Sequence, residues 1–238
     1  MILKVTDYEA GELNRRIKDA VGDLTLQNCC GQRFLATGLK NKTVTFHGTP
    51  GNALGAYLDG ASLIVHGNTQ DAVGDTMNDG SIIIHGNAGD ALGYAMRGGG
   101  IYVLGDVGYR TGIHMKEYRG KKPVIVVGGR AGSFLGEYLA GGVIIVLGIG
   151  CEDLPVGRFT GTGMHGGKIF LRAKEIPSGL PEQVLAAPVG EDDLSELEEH
   201  VKLFAAHFEM DAKELLASRF FVLRPNVKNP YKRLYAAN

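Results

Sequence analysis

The sequence contains no tryptophan and only three cysteines among its 238 residues. Cys29 and Cys30 are adjacent and Cys151 is distant, so they form neither an even disulfide framework nor a C-x-x-C metal motif. Free thiols are typical of a reducing compartment, and the first residues lack the basic and apolar segments of a secretory signal. We therefore expect a cytoplasmic protein.

Neither sign of charge is in excess, because 25 Lys and Arg residues stand against 26 Asp and Glu residues. A general nucleic-acid-binding protein needs a concentrated basic face, which this balance argues against. Long apolar runs are also lacking, since runs such as Val143–Leu147 have only five residues and cannot span a bilayer. Neither nucleic acid nor a membrane is an expected partner.

Glycine is the residue in excess, with 36 copies, of which 30 fall between residues 48 and 167. Short β-branched segments recur at about 19-residue intervals in the same region, and they begin at positions 24, 44, 63, 82, 101, 124, 144 and 169. Two further columns run in phase with them, one of glycine and one of large apolar residues. The columns are Gly55, Gly74, Gly93, Gly112, Gly136 and Gly157, and Leu58, Met77, Met96 and Met115.

Three columns in register predict a stack of similar coils in which equivalent residues superpose. We interpret the chain as an all-β protein, a single-stranded right-handed parallel β-helix of about eight coils over residues 24–172. The glycines would occupy corners that need a positive φ or a close approach between coils. The period alone does not distinguish this fold from a propeller-like or leucine-rich arrangement.

The strand pattern also predicts which side chains form the core. The inward residues are Val44, Phe46, Leu63, Val65, Ile82, Ile84, Ile101 and Val103. The outward positions are also apolar over several coils, and the predicted stripe comprises Ile83, Tyr102, Ile125, Ile145 and Leu147. An apolar outer face needs a cover, so we expect the chain's own tail over part of it and a partner or second copy over the rest.

Both ends of the chain carry helical signals. Residues 1–23 are predicted as a helical cap, with a capping box Thr6-x-x-Glu9 and an apolar face of Leu13, Ile17 and Val21. Residues 173–238 are predicted as a connector and helical tail. Two further capping signals, Asp193-x-x-Glu196 and Asp211-x-x-Glu214, are expected to begin its helices.

Several groups suggest chemistry, but each has a structural interpretation that we favour. His47, His66 and His85 share one column, and a linear ladder is poor geometry for three ligands of one metal ion. Asp71 and Asp90 also align, and turn capping is their expected role. We therefore assign no catalytic, cofactor-binding or metal-binding residue to this chain.

Two surface segments complete the candidates. Gly161–Gly166 spells G-x-G-x-x-G, but a strand pattern follows it where a dinucleotide site needs a helix. Lys116, Arg119, Lys121 and Lys122 make the enlarged fifth coil a basic loop, which would suit docking of a partner.

The repeated Gly-x-x-Gly-x-x-Met-x-x-Gly-Gly pattern, visible in Gly89–Gly105, resembles the GXGXG domain at the carboxy terminus of the glutamate synthase large subunit. A related domain occurs in one of the subunits of formylmethanofuran dehydrogenase. The tail is similar to the glutamate synthase ending in four segments: Leu197–Lys202, Leu215–Leu216, Phe220–Pro225 and Pro230–Leu234. The resemblance extends from about residue 20 to 235, with neither the amidotransferase nor the flavin-binding barrel of the glutamate synthase protein.

The resemblance implies a non-catalytic scaffold in a split glutamate synthase-type complex, which forms glutamate from glutamine and 2-oxoglutarate. It implies no cofactor on this chain, while FMN and an iron–sulfur cluster belong to a synthase subunit and a glutamine amidotransferase subunit is the other partner. No family catalytic residue carries over, because the matching positions are glycines and apolar columns. The alternatives are a scaffold in a formylmethanofuran dehydrogenase-type complex, and a free-standing β-helix enzyme that acts on a sugar polymer.

Overall fold

A stack of nine parallel strands forms the centre of the computed structural model, which describes residues 1–226. The strands are β1 Ile2–Lys4, β2 Leu24–Cys30, β3 Thr43–Thr49, β4 Asp59–His66, β5 Asp79–Ile84, β6 Gly100–Val103, β7 Val124–Val127, β8 Ala140–Val146, β9 Gly166–Arg172, β10 Val184–Pro188 and β11 Phe220–Pro225. The helices are α1 Ala10–Asp19, α2 Glu191–His207 and α3 Ala212–Leu216. The predicted β-solenoid of about eight coils with flanking helices is confirmed.

Equivalent residues of successive coils lie directly above one another. One inward column runs through Val44, Leu63, Ile82, Ile101, Ile125, Ile144 and Ile169. Every member is completely buried, and so are all eight residues that the sequence predicts to point inward. The core is therefore a continuous rod of mostly aliphatic side chains, which is what stacked parallel coils require.

The predicted phase of β7 is wrong by one residue. Ile101 pairs with Ile125, so Ile125 points into the core, whereas Val124 and Val126 occupy the outer face. All four residues of Val124–Val127 are β-branched, so alternation gave no signal there. The inserted loop before β7 also interrupts the 19-residue spacing, so spacing did not fix the phase of this strand.

The amino-terminal end is closed by α1, which buries Leu13 and Ile17 against the core. The predicted capping box is wrong, because Glu9 is the N-cap and makes no side-chain cap, and Val21 is 96% exposed beyond the helix. At the other end of α1, the Lys42 ammonium donates to the carbonyls of Ile17, Lys18 and Ala20. A cation there complements the negative end of the helix dipole.

The tail contains two strands that the sequence patterns did not reveal. Strand β11 pairs antiparallel with β9, and β10 pairs antiparallel with β11, so β11 alone runs against the other strands of the sheet. Helix α2 lies along the outer strand face. It begins at Glu191, so the predicted cap at Asp193 is wrong, whereas Asp211 caps α3 by accepting from the Lys213 amide at 2.8 Å.

Candidate interaction surfaces

Each coil returns through a turn in which alternate residues adopt a left-handed conformation. In the third turn the residues are Ala72, Gly74 and Thr76, with φ of 56°, 69° and 53°. The middle residue is the predicted glycine column, confirmed for Gly55, Gly74, Gly93, Gly112 and Gly136. The sixth member is Gly161 rather than Gly157, which has no positive φ.

Two ladders of Asn and Asp side chains join the corners of successive coils. Asn68 and Asn87 each accept a hydrogen bond from the amide of the equivalent residue one coil later, at 2.9 and 2.8 Å. Asp71 and Asp90 do the same, at 2.9 and 2.8 Å. The turn-capping interpretation of Asp71 and Asp90 is confirmed, because each carboxylate is engaged by backbone.

Glycine in the next coil makes room for each of these side chains. A Cβ on Gly89 would lie 2.2 Å from the Asp71 carboxylate, and one on Gly108 would lie 2.1 Å from that of Asp90. These glycines and the Asn and Asp ladders are therefore parts of one repeated corner. This arrangement gives the carboxylates of Asp71 and Asp90 a structural role.

The apolar outer face is covered by the chain itself. A second hydrophobic cluster joins the outward side chains of five strands to α2, α3 and β11. Its buried members are Ile83, Tyr102, Val124, Val126, Val143, Ile145, Leu147, Phe170, Leu197, Val201, Phe204, Ala205, Leu215, Phe220 and Val222. The predicted tail cover is confirmed, but the expectation that a partner covers the rest of the stripe is wrong.

Ion pairs fix α2 at the edge of this cluster. Asp193 is 3% exposed and contacts the Lys168 ammonium at 2.9 Å and the Arg224 guanidinium. Burial would raise the pKa of Asp193, but the two cations together hold that pKa below its ordinary value. Glu196 pairs with Lys168 at 2.7 Å and with Lys122 at 2.5 Å. The network therefore joins α2 to β9, β11 and the inserted loop.

The histidine column is a stack of rings on the outer face. His47 and His66 have ring centroids 5.0 Å apart, and His66 and His85 4.6 Å apart. His85 in turn meets the edge of Phe208, just beyond α2, at 5.2 Å. Desolvation lowers the pKa of His66, and the imidazoles of His85 and His47 lower it further. Within residues 1–226, no group of three or more His, Cys, Asp or Glu side chains is placed to hold a metal ion.

The return turns of the later coils carry exposed rings in two adjacent rows. In one row Arg110 lies over Phe134, which stacks on Phe159 with centroids 4.9 Å apart. In the other, Tyr94 meets His114 at 5.9 Å, and His114 stacks on Tyr138 at 5.1 Å. We call these residues, together with Glu137, the turn surface.

The two rows form one continuous surface because Arg110 pairs with Glu137 at 3.0 Å. Its rings remain accessible: Tyr94 is 40% exposed, Tyr138 37% and Phe159 52%. The patterns read from the sequence did not reveal this surface. The available signal was the position of Phe134 and Tyr138, two residues on either side of Gly136 in the glycine column.

The basic loop is only partly free to dock a partner. Lys121 pairs with Asp79 at 2.7 Å and Lys122 pairs with Glu196, so both cations fasten the loop to the solenoid. Arg119 lies over the ring of Tyr118 at 5.1 Å, and Lys116 is exposed. The predicted docking role of this loop stays a prediction.

The cysteines and the G-x-G-x-x-G segment have structural surroundings. Cys29 is buried, and desolvation raises the pKa of its thiol to about 11, which keeps the thiol protonated. Cys151 lines a cavity of about 540 Å³ together with the charged groups Glu152, Arg172 and Arg219. Gly161–Gly166 forms the last return turn and runs into β9, so the strand expected after it is confirmed.

Comparison with known proteins places the chain among proteins with the same repeat. The family model of the GXGXG motif matches residues 6–227. An uncharacterized protein of Methanocaldococcus jannaschii is 40% identical over 250 aligned positions, which cover 99% of this chain and 96% of that protein. Of the tail segments that resemble glutamate synthase, Pro230–Leu234 lies outside the described residues.

A solved structure has the same fold. It is a chain in the crystal structure of the formyltransferase/hydrolase complex FhcABCD from Methylorubrum extorquens in complex with methylofuran. The match has a TM-score of 0.67 and 22% sequence identity, and it covers 84% of this chain and 72% of that chain. Among residues 1–226, no helix has the length and apolar character needed to span a membrane.

Proposed function

The chain belongs to the GXGXG motif family, and from this membership we propose that it is a scaffold subunit of a split glutamate synthase-type complex. It would hold a glutamine amidotransferase subunit against a synthase subunit that binds FMN and an iron–sulfur cluster. The observation that carries this proposal is the family match over residues 6–227. The protein itself contributes no catalytic group.

The architecture suits a rigid spacer. About eight coils at ~4.8 Å per coil give a rod of roughly 38 Å, with backbone hydrogen bonds between all neighbouring coils. The apolar outer face is buried beneath α2 and β11, so the rod does not depend on a partner to cover that side. The turn surface, the basic loop and the histidine stack are left for contact with other chains.

The test is reconstitution from separately purified subunits. We expect the chain to co-purify with the amidotransferase and flavin subunits, and to raise glutamine-dependent glutamate formation at least tenfold over the mixture without it. Synthesis from added ammonia by the flavin subunit should change little, because that reaction needs no ammonia transfer between subunits. The same glutamine-dependent rate with and without the chain would overturn the proposal.

A second candidate is a scaffold in a formyl-transfer complex of the kind that the solved structure represents. Its support is the TM-score of 0.67 to a chain of FhcABCD. At 22% identity this likeness concerns the fold, so we rank the candidate second. Co-purification with subunits that transfer or hydrolyse a formyl group, in place of an amidotransferase, would decide for it.

A further inference from the structure

The turn surface is the largest group of exposed aromatic rings in the described chain. The tail elements that cover the outer strand face do not cover it. Monomeric proteins seldom expose contiguous aromatic surface of this kind without a binding role. Because the rings lie on the return turns of the fourth to seventh coils, the surface extends along the rod. It therefore fits a second rod-like surface better than a small ligand.

Charge along the same turns is unevenly distributed. Between Lys42 and Arg97 the sequence contains no Lys or Arg but has five Asp residues. In the third return turn, Asp71 and Asp75 flank the face, and neither has an ion-pair partner among residues 1–226. In the seventh turn, Arg158 is exposed and likewise has no ion-pair partner in the described part.

From these two observations we propose that the turn surface, extended to Asp71 and Asp75 of the third turn and to Arg158 of the seventh, is the interface of an antiparallel homodimer. A two-fold axis through the fifth turn, Tyr109–His114, places the third turn of one copy against the seventh turn of the other. Arg158 of each copy then faces Asp71 and Asp75 of its partner. The rings of the fourth and sixth turns, including Tyr94 and Tyr138, meet at the centre.

The charge pattern identifies the binding partner as a second copy of the same chain. A surface that is acidic in the third turn, carries rings from the fourth turn onward and is basic in the seventh turn matches its own copy after a two-fold rotation. Opposed like charges would penalise the parallel arrangement, so charge also fixes the direction. The dimer does not require the proposed function, and it would supply a symmetric core for either type of complex.

The experiment is sedimentation velocity of the full chain between 1 and 100 μM at low salt, with charge-reversed variants. We expect wild type to dimerise, and Arg158→Glu and Asp75→Arg each to weaken self-association at least tenfold by placing like charges together. A one-to-one mixture of the two variants should recover dimer. In the mixed dimer, positions 158 and 75 carry opposite charges at both ends of the interface. Phe134→Ser should weaken the dimer without a change in charge.

Matched controls lie on α2, on another face of the rod. Lys202→Glu and Glu198→Arg change net charge by the same amounts as the two test variants and should leave dimerisation unchanged. Wild type that stays monomeric throughout the range overturns the proposal. So does a dimer that tolerates both reversals, or a mixture of variants that stays monomeric although each variant has the wild-type circular dichroism spectrum.

Discussion

Left-handed residues set the strictest local requirements in this chain. Seven return turns each contain three of them, and large side chains such as Phe134 and Tyr138 stand at positions where glycine would be easiest. The central position, which is glycine in six of the seven turns, differs from its neighbours because its Cα faces the core. Glycine is needed there for space as well as for conformation.

Gly93 and Ala91 separate these two requirements. A Cβ on Gly93 would lie 2.5 Å from the Ile125 Cδ1 atom at a φ of +66°, so Gly93→Ala should cost about 2–4 kcal/mol of unfolding free energy. Position 91 also has a positive φ, 55°, although alanine occupies it. Ala91→Gly should therefore change the free energy of unfolding by less than ~1 kcal/mol. Urea denaturation measures both. Equal losses of unfolding free energy in the two variants would contradict the steric clash with the Ile125 side chain.

The histidine stack predicts a dependence of stability on pH. The folded-state pKa of His66 lies below its ordinary value, so the unfolded chain takes up more protons, and stability should fall as pH drops below about 6.5. We expect the melting temperature to decrease between pH 7.5 and 5.5, and less steeply in His66→Gln. His114→Gln, which removes an imidazole outside the column, is the control. A His66→Gln slope equal to wild type would contradict the prediction.

At the scale of elements, α2 is the helix that covers the apolar outer face, so that no other protein is needed to cover it. Phe204 lies in its last turn, completely buried, and its ring tip fills the space above Gly128, where a Cβ would lie 2.9 Å from it. At this point the helix therefore packs directly against the backbone of the outer face. Its fit depends on glycine in a coil that is distant in sequence.

Phe204→Ala should cost about 3–5 kcal/mol of unfolding free energy, because it opens a cavity between α2 and the coils. Leu203, the adjacent residue, is 42% exposed, and Leu203→Ala should change stability by ~0.5 kcal/mol or less. Chemical denaturation with an apolar dye as second probe measures the difference. Similar small losses in both variants would mean that α2 is not a structural part of the solenoid.

Elements with a repeat could be predicted from the sequence, and elements without one could not. The coils and their inward residues follow from columns of Val, Ile and Met at fixed spacing, but Ile125 was misplaced where an all-β-branched strand follows an irregular loop. Strands β10 and β11 have no equivalent elsewhere in the chain, so no comparison within the sequence reveals them. The turn surface went unnoticed because its rings belong to different columns that meet only in three dimensions.

At the scale of the whole molecule, one carboxylate connects parts of the chain that are far apart in sequence. Asp193 of α2 contacts Lys168 of β9 and Arg224 of β11, and its side chain is nearly inaccessible. The contact fastens the tail to the last coil of the solenoid. Removing the carboxylate leaves two cations facing each other across a buried position.

Asp193→Asn should lower the unfolding free energy at pH 7 by about 1–3 kcal/mol, with the Arg224 contribution reduced because that side chain is 45% exposed. The pKa of Asp193 is depressed in the folded state, so its stabilisation is present above the unfolded pKa near ~3.9 and is lost as pH falls through the folded pKa. Urea titrations at pH 7, 5 and 3 test this. A difference from wild type that stays constant down to pH 3 would contradict the assignment.

The two tail strands, β11 and β10, have a consequence for how these molecules meet end to end. A parallel stack that finished on β9 would present the same register that each internal coil offers, and a second chain could continue it without limit. Because β11 pairs with β9, the last strand of the described sheet at this end is β10, which has only five residues, ends at Pro188 and lies outside the repeated columns of the coils. The tail thus replaces the repeated edge of a coil with one short strand, which is a poorer template for fibre growth.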